Sequence, residues 1–413
     1  EAGMSSFLSE FDIATYRKPL PLVAKCGVCR LHENCRSPKM KVDGKGKRKI
    51  LIVGESPGTT EDEEGIPFVG ESGQLLEKTF DKFGIDLRED CWMTNAIICH
   101  PPKNEIPPKA IEYCQPNLIQ AVRSLNPTAI FLFGASPVKS LLTWLFKKDI
   151  RGIGRWIGWK IPCQSINSWI FPFWHPDFIL RTDYGVSGQE RGRGNDVREM
   201  VWQNHIRSAI LKAKKGKPYA SGKPDYKVSC LVNVDVAVDE IDKMRKSGVP
   251  IAWDLECDRI KPERKDSRIV SCGLSDGNRA IAYPWTGDTA EATLRLLKSS
   301  KVPKIAHNFK YDARWIKAVE NVWVRNWHWD TMIAAHVLDN RSEIVSLKFQ
   351  AFVELGAETW DDHVKPYMKS SGSNEPNRIT EIPLAHLLRY NALDALLTWK
   401  LYEKQAKRMK VSP

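Results

Sequence analysis

The stretch KRKILIVG, at residues 47–54, predicts a buried strand, because an uninterrupted aliphatic run ends in a turn-forming glycine. Two similar apolar runs follow, CWMTNAIIC at residues 91–99 and AIFLFG at residues 129–134. Between them lie segments with helical spacing of apolar residues, ESGQLLEKTFDKFG at 71–84 and PPKAIEYCQPNLIQAVRSL at 107–125. Strands that alternate with helices predict an α/β fold, with a mainly parallel sheet covered on both faces.

A second series of strands and helices begins after KAKKGKPYASGKPDYK, at residues 212–227. This segment is rich in lysine, glycine and proline and has no periodicity, which is typical of a linker. Beyond it, VPIAWDLE and RIVSCGLS are strand-like, and a long helix is predicted at about 382–409. We therefore expect two domains, at residues 1–215 and 231–413, joined by a linker at residues 216–230.

The 413-residue chain carries 62 lysines and arginines against 50 aspartates and glutamates, a formal net charge of +12. This basic balance favours a nucleic acid as partner. No uncharged apolar run reaches the ~18 residues of a membrane span, and the sequence EAGMSSFLSEFD is not a secretory signal. We therefore expect a cytoplasmic protein, in which the ten cysteines favour metal or cluster ligation over disulfides.

Acidic residues in the second half are arranged in three separate segments. Asp254 and Glu256 lie two apart on an apolar strand, so both side chains project from one face. Asp312 ends the segment HNFKYD, and Tyr390 and Asp394 lie four apart on a predicted helix. Four such acids suit phosphodiester hydrolysis with two Mg²⁺ or Mn²⁺ ions, where one ion generates hydroxide and the other stabilises the leaving oxygen. A single Asp-x-Glu pair, by contrast, is more often a salt-bridge partner.

The segments DLE, NFKYD and YNALD resemble, in this order, the three motifs of the DEDDy 3′→5′ exonucleases, in particular the proofreading domain of family A DNA polymerases. DTMIAAHVLD, at 330–339, resembles the family's helix between the second and third motifs. The resemblance, over about 234–408, implies a ribonuclease H-like mixed sheet and single-stranded or frayed 3′ ends of DNA as substrate. It implies these roles: metal ligands Asp254, Glu256, Asp312 and Asp394, a water-orienting Tyr390, and supporting residues Asn308 and Tyr311.

No polymerase motif is present in the sequence, although the resemblance implies a polymerase domain or subunit as partner. Two alternatives therefore stay open. The chain is either a piece of a larger polymerase or a free-standing exonuclease fusion.

The first half contains a long glycine-rich segment, GESPGTTEDEEGIPFVGESG, directly after the first strand, at 54–73. It lies at the carboxyl end of a strand, where α/β sheets bind ligands, although ordinary strand–helix loops also contain such turns. Together with TNAIICHPPKN at 94–104 and FWHPDF at 173–178, it resembles the family 4 and family 5 uracil-DNA glycosylases. The resemblance, over about 20–212, implies an α/β/α sandwich.

Five residues are candidates for a uracil pocket. A glycosylase extrudes its base and recognises it by stacking and by contacts to the Watson–Crick edge. Phe68 offers a stacking face, Asn95 offers an amide that matches uracil N3 and O4, and His175 could hydrogen-bond O2 as negative charge develops. By the resemblance, Glu55 and Glu61 position water or the sugar. Taken singly, Phe68 could be a core residue and Asn95 could satisfy a neighbouring turn.

At two positions, the residues of this sequence differ from those of active uracil-DNA glycosylases. Asp177 replaces the usual serine after His-Pro, at a position that faces DNA phosphate in the family, and an anion there weakens binding unless it is paired. Ser56 stands where the best-known uracil glycosylases carry a catalytic aspartate, which family 4 also lacks. The alternatives are therefore excision of uracil by this domain and a non-excising DNA-binding or uracil-sensing module that tethers the exonuclease. A third alternative is a mainly architectural half of a polymerase.

Four cysteines form a candidate ligand set. Cys26 and Cys29 make a C-x-x-C pair, and Cys99 and Cys114 lie 15 apart. Four thiolates suit a [4Fe–4S] cluster or a structural zinc ion, and the glycosylase resemblance favours the [4Fe–4S] cluster. Cys35 could replace one ligand, or it could be a spectator thiol.

Overall fold

The computed structural model describes residues 23–181, 193–372 and 374–411. The first half contains a five-stranded sheet in the order β2-β1-β3-β5-β4. All neighbouring strands are parallel except β4 and β5, so the predicted mainly parallel sheet is confirmed. Its strands are β1 (Ile50–Gly54), β2 (Cys91–Asn95), β3 (Ala129–Phe133), β4 (Ile161–Cys163) and β5 (Ser168–Phe173).

Helices cover this sheet. Residues of β1 and β3 are buried along their whole length, as expected for short apolar strands between two helical layers. The helices are α1 (Cys26–Cys29), α2 (Thr59–Glu64), α3 (Glu71–Asp81), α4 (Leu87–Asp90), α5 (Ala110–Leu125), α6 (Ala135–Phe146), α7 (Pro176–Arg181) and α8 (Arg193–Ala213).

The second half contains a six-stranded mixed sheet in the order β11-β10-β7-β8-β9-β6. The central strand β8 is antiparallel to both of its neighbours, β7 and β9, and the outer strands pair in parallel. The strands are β6 (Val228–Cys230), β7 (Ile251–Cys257), β8 (Ile269–Ser275), β9 (Ala280–Pro284), β10 (Lys304–Ala306) and β11 (Trp327–Asp330). The helices are α9 (Val234–Ser247), α10 (Gly287–Lys298), α11 (Phe309–Glu320), α12 (Thr331–Leu338), α13 (Leu347–Leu355) and α14 (Leu384–Met409).

The segment predicted as a linker is structured at its end, because β6 pairs with β9 and so belongs to the second sheet. Tyr226, just before β6, contacts the first half, because its hydroxyl accepts a hydrogen bond from Gln164 Nε2 at 2.7 Å. No helix in the described ranges combines the length and hydropathy that a membrane crossing requires.

The two halves share one hydrophobic core. Helix α13 belongs to the second half in sequence, but Phe349 and Phe352 are buried in the core of the first half. The Phe352 ring centroid lies 4.9 Å from that of Phe146, and the Phe349 ring centroid lies 5.0 Å from that of Trp156. The domains therefore meet through a packed interface.

Gly356 lies at this interface, directly after α13, and contacts the first half. Its φ of +61° lies in the left-handed region, and its carbonyl accepts a hydrogen bond from the Gln164 N–H at 3.0 Å. A Cβ at this position would lie 1.6 Å from the Pro162 carbonyl oxygen. Only glycine fits here.

We expect Gly356→Ala to destabilise the protein far more than Gly248→Ala. Gly248 has a similar φ of +72°, but no atom lies within 4 Å of its Cβ position. The control therefore carries only the backbone cost, about 1–2 kcal/mol. The collision at Gly356 adds at least about 2 kcal/mol. Urea unfolding followed by circular dichroism measures both losses, and equal losses would contradict the proposed close approach of the domains.

Candidate functional site

Three carboxylates meet at the centre of the second sheet. Strand β7 carries Asp254 and Glu256, and α14, which packs across this sheet, carries Asp394. One oxygen from each lies within 4.8 Å of the other two. Asp312, in the first turn of α11, is buried beside them and accepts a hydrogen bond from the Leu255 N–H at 3.3 Å. The structure therefore brings together the three sequence segments that the motif analysis singled out.

The electrostatics of this acid cluster are unfavourable without a cation. Burial and the neighbouring Asp394 carboxylate raise the pKa of Asp254 to about 8. Burial and the Asp254 carboxylate raise the pKa of Glu256 and of Asp312 as well. Asn391 partly compensates, because its side-chain amide donates to Asp254 Oδ2 at 2.8 Å. Carboxylate oxygens at this spacing and burial fit a hard divalent cation such as Mg²⁺ or Mn²⁺.

Two residues of this site were missed by the sequence analysis. The Lys348 ammonium group forms an ion pair with Asp394, and Trp360 Nε1 donates a hydrogen bond to the same carboxylate oxygen. Lys348 also lies over the Tyr390 ring, 4.5 Å from its centroid. Neither residue belongs to a motif, and no local pattern marks either of them.

The other motif residues shape the surroundings of the cluster. Burial and the Asp394 carboxylate raise the pKa of the Tyr390 hydroxyl well above its usual value, so the phenol stays protonated. Asn308 adopts a left-handed backbone, with φ at +64°, and its N–H donates to Asp330 Oδ1 at 3.1 Å. The Tyr311 hydroxyl donates to the Arg259 carbonyl at 3.2 Å. These contacts connect the start of α11 with neighbouring loops.

In the first half, Phe68 and Asn95 meet over the carboxyl end of β1. A Cβ on Gly54 would lie 2.4 Å from Asn95 Oδ1 and 2.9 Å from Phe68 Cζ, so only glycine permits this arrangement. Phe68 has a φ of +61°, which is strained for an aromatic residue. Arg88 was missed by the sequence analysis: it donates to the Phe68 carbonyl at 3.1 Å and forms an ion pair with Asp43.

Glu55 and Glu61 bind backbone N–H groups of the surrounding loops. Glu55 Oε1 accepts from the N–H groups of residues 135 and 136, at the start of α6, at 2.6 and 3.2 Å. Glu61 accepts from Gly58 N–H at 3.0 Å and from Gly70 N–H at 2.9 Å. Both carboxylates therefore hold the loops around the candidate pocket, and their roles toward water or sugar stay predictions.

His175 follows β5 and precedes α7. Its Nδ1 accepts a hydrogen bond from the Asp177 N–H at 3.2 Å. A neutral imidazole that accepts at Nδ1 carries its proton on Nε2, so the other edge of the ring is a donor.

The four candidate cysteine ligands line one cavity, together with apolar residues such as Leu31 and Ile97; Cys35 is not part of this lining. Burial raises the pKa of the Cys99 thiol to about 12. Its sulfur accepts from the Lys39 N–H at 3.3 Å, and Cys114 Sγ accepts from Asn117 at 3.4 Å. Such donors stabilise metal-bound thiolates.

Comparison with known proteins defines the class of each half. Residues 42–203 match the model of the uracil DNA glycosylase superfamily, and residues 230–410 match that of a 3′-5′ exonuclease. The chain is 37% identical to a Type-4 uracil-DNA glycosylase of Pyrobaculum aerophilum over 139 residues, which are 32% of this chain and 69% of that protein. It is 30% identical to the Type-4 enzyme of Thermotoga maritima over 198 residues, 47% of this chain and 93% of the relative.

A third relative spans both halves. The chain is 26% identical to a DNA polymerase of Bacillus phage SP01 over 401 residues, which cover 89% of this chain and 41% of the polymerase. Among solved structures, the catalytic core of RRP6 from Trypanosoma brucei matches 45% of this chain and 47% of its own, with 16% identity and a TM-score of 0.35. The chain belongs to the uracil-DNA glycosylase superfamily through its first half, and its second half is a 3′-5′ exonuclease domain.

The raised pKa values predict how pH affects the metal-free protein. Asp254 has an ordinary value of 3.8 and a folded value of about 8, so folding favours its protonated form. The resulting stability is present below pH 3.8 and is lost as the pH rises toward about 8. The expected slope is up to about 1.4 kcal/mol per pH unit for each proton released.

Urea unfolding in EDTA at pH 5 and pH 8 tests this dependence. Asp254→Asn cannot ionise, so we expect it to lose less stability than the wild type between the two pH values. Adding Mn²⁺ at pH 8 should raise the wild-type midpoint, because the cation replaces the missing protons. If the wild type and Asp254→Asn lose the same stability between pH 5 and pH 8, Asp254 is not the group whose deprotonation destabilises the fold.

Proposed function

We propose that this chain is a metal-dependent 3′→5′ DNA exonuclease of the proofreading type, joined to a domain that recognises uracil in DNA. The observation that carries the proposal is the cluster of the half-buried Asp254 with the buried Glu256 and Asp394 within an exonuclease domain. The likeness to a phage DNA polymerase across both halves favours a place in a replication or repair enzyme, such as a family A DNA polymerase. We assign this activity to the cytoplasm, on single-stranded or frayed 3′ ends.

In the exonuclease reaction, the four acids would hold two Mg²⁺ or Mn²⁺ ions: Asp254, Glu256, Asp312 and Asp394. When bound, these ions supply hydroxide at neutral pH and neutralise the charge that develops on the phosphate oxygens. Tyr390 stays protonated and orients the attacking water by donating a hydrogen bond. Asn308 and Tyr311 support the turn that presents Asp312.

In the first domain, uracil would stack on Phe68 and pair with the Asn95 amide. His175 would donate from Nε2 to uracil O2, where negative charge develops as the glycosidic bond breaks. Glu55 and Glu61 would keep the pocket loops in place. Excision of uracil is the second candidate function, and the hydrogen bond that fixes His175 as a donor favours it. The alternative is a domain that binds uracil-containing DNA without cutting it.

We further propose that Cys26, Cys29, Cys99 and Cys114 hold a [4Fe–4S] cluster. The common cavity lined by these four cysteines and the resemblance to the family 4 and family 5 uracil-DNA glycosylases support this assignment. The cluster would fix α1 against α5 and so serve the structure of the domain.

A 5′-labelled oligonucleotide with a single uracil separates the two activities. With Mg²⁺, we expect a ladder of products shortened from the 3′ end. In EDTA the exonuclease is inactive, whereas base excision needs no divalent ion. Alkali then converts an abasic site into a discrete break.

Two variants serve as reciprocal controls in this assay. Asp254→Asn is expected to slow the ladder by at least about a hundredfold, because it removes a metal ligand, and to leave any break at uracil unchanged. Asn95→Ala is expected to abolish the break and to leave the ladder intact. A ladder that persists in EDTA would contradict the metal-dependent mechanism. If neither the wild type nor Asp177→Ser produces a break at uracil in EDTA, the first domain is a binding module that does not excise uracil.

Single cysteine variants test the cluster. Cys114→Ser is expected to lose the broad absorbance near 400 nm and most of the roughly four irons per chain that the cluster requires. Cys35→Ser, the matched control, is expected to keep both. The opposite pattern would make Cys35 a ligand, and zinc without iron in the wild type would overturn the assignment.

A further inference from the structure

Two side chains outside the exonuclease motifs hold the Asp394 carboxylate, and each is next in sequence to a residue that contacts the first domain. Lys348 and Trp360 both bind Asp394 Oδ1. Phe349 and Asp361 follow them directly and contact the glycosylase-like domain. The same two short segments therefore serve the domain interface and the candidate metal site.

The first segment is helix α13. Successive side chains of an α-helix point about 100° apart, so two neighbouring residues can contact two different parts of the protein. Lys348 points to Asp394, and Phe349 is fully buried in the core of the first domain. There, the Phe349 ring packs against Trp156, and the Arg155 guanidinium lies 4.1 Å from its centroid. The packing of the Phe349 ring in the first domain therefore fixes the position of helix α13, which carries Lys348.

The second segment follows α13 and contains Trp360 and Asp361. Asp361 forms an ion pair with Lys148, just beyond α6, at 2.6 Å. Both side chains are largely buried, with 19% of Lys148 and 10% of Asp361 exposed. An ion pair shielded from solvent in this way is screened little by salt and fixes the position of its residues. Trp360, one residue earlier, donates to Asp394.

We propose that the glycosylase-like domain positions the exonuclease ligand Asp394 through these two segments, with Lys348 and Trp360 as positioning residues. This inference rests on the proposed function of the acid cluster. A divalent cation binds tightly only when its ligands are held close to their productive geometry, and outer hydrogen-bond partners provide that support. Loss of a contact between the domains therefore weakens metal binding although every acid of the cluster is unchanged.

The test uses the full chain without DNA and measures Mn²⁺ affinity from the electron paramagnetic resonance signal of the free ion. Lys148→Met breaks the ion pair with Asp361, and we expect it to weaken Mn²⁺ binding about three- to tenfold. Lys139→Met is the matched control: it removes the same charge from an exposed lysine of α6. We expect this control to bind Mn²⁺ like the wild type.

A second pair of variants tests the contact at Asp394 itself. Trp360→Phe keeps the ring but removes the N–H donor, and we expect about tenfold weaker Mn²⁺ binding. Its control is Trp399→Phe, which removes a donor to the Pro250 carbonyl in the same domain. Lys148→Arg retains the ion pair and is expected to retain the wild-type affinity. If Lys148→Met does not fold, Asp361→Asn breaks the same pair without leaving a buried carboxylate.

The outcomes separate the inference from the function on which it rests. A wild-type chain that binds no Mn²⁺ would refute the proposed function. The inference would be overturned if the wild type binds Mn²⁺ and a folded Lys148→Met or Asp361→Asn variant binds it with the same affinity. Equal weakening by Lys139→Met and Lys148→Met would also overturn it, because net charge alone would then explain the effect.

Discussion

Repulsion among buried carboxylates is the constraint on which the second half of the molecule depends. Asp254, Glu256 and Asp394 present oxygens within 4.8 Å of one another, where burial removes most of the compensation that water supplies. Strand β7 and helix α14 place these acids side by side. Part of the charge is balanced by the Lys348 ammonium group and the Asn391 amide. In the proposed exonuclease reaction, the remainder would be neutralised by divalent cations, which hydrolysis of a phosphodiester uses.

The packing between the halves extends this constraint to the first domain. The aromatic residues of α13 complete a core of the first half that also contains Leu51 and Val53 of β1, although each half has a further core of its own. If the chain has the proposed function, this shared core holds the base-recognition site and the exonuclease site in a defined relation. A flexible tether would give only a raised local concentration of DNA.

Much of this architecture was predictable from the sequence. Apolar runs predicted β1, β2 and β3, and the three acidic motifs predicted which segments meet, because each motif has its own position in the fold. Lys348 and Trp360 were not predictable, since their function depends on tertiary contacts with Asp394 and on no local pattern. The interface was missed for a related reason: the apolar face of α13 has the same periodicity, whichever domain buries it. The polar composition before β6 indicated a linker, although its last residues pair with β9.

The most direct test of this account is anomalous diffraction from crystals of the full chain grown with Mn²⁺, recorded at the manganese edge. We expect strong anomalous density among Asp254, Glu256 and Asp394, with Lys348 and Trp360 still bound to the Asp394 carboxylate. Well-ordered acids without anomalous density at saturating Mn²⁺ would contradict this expectation.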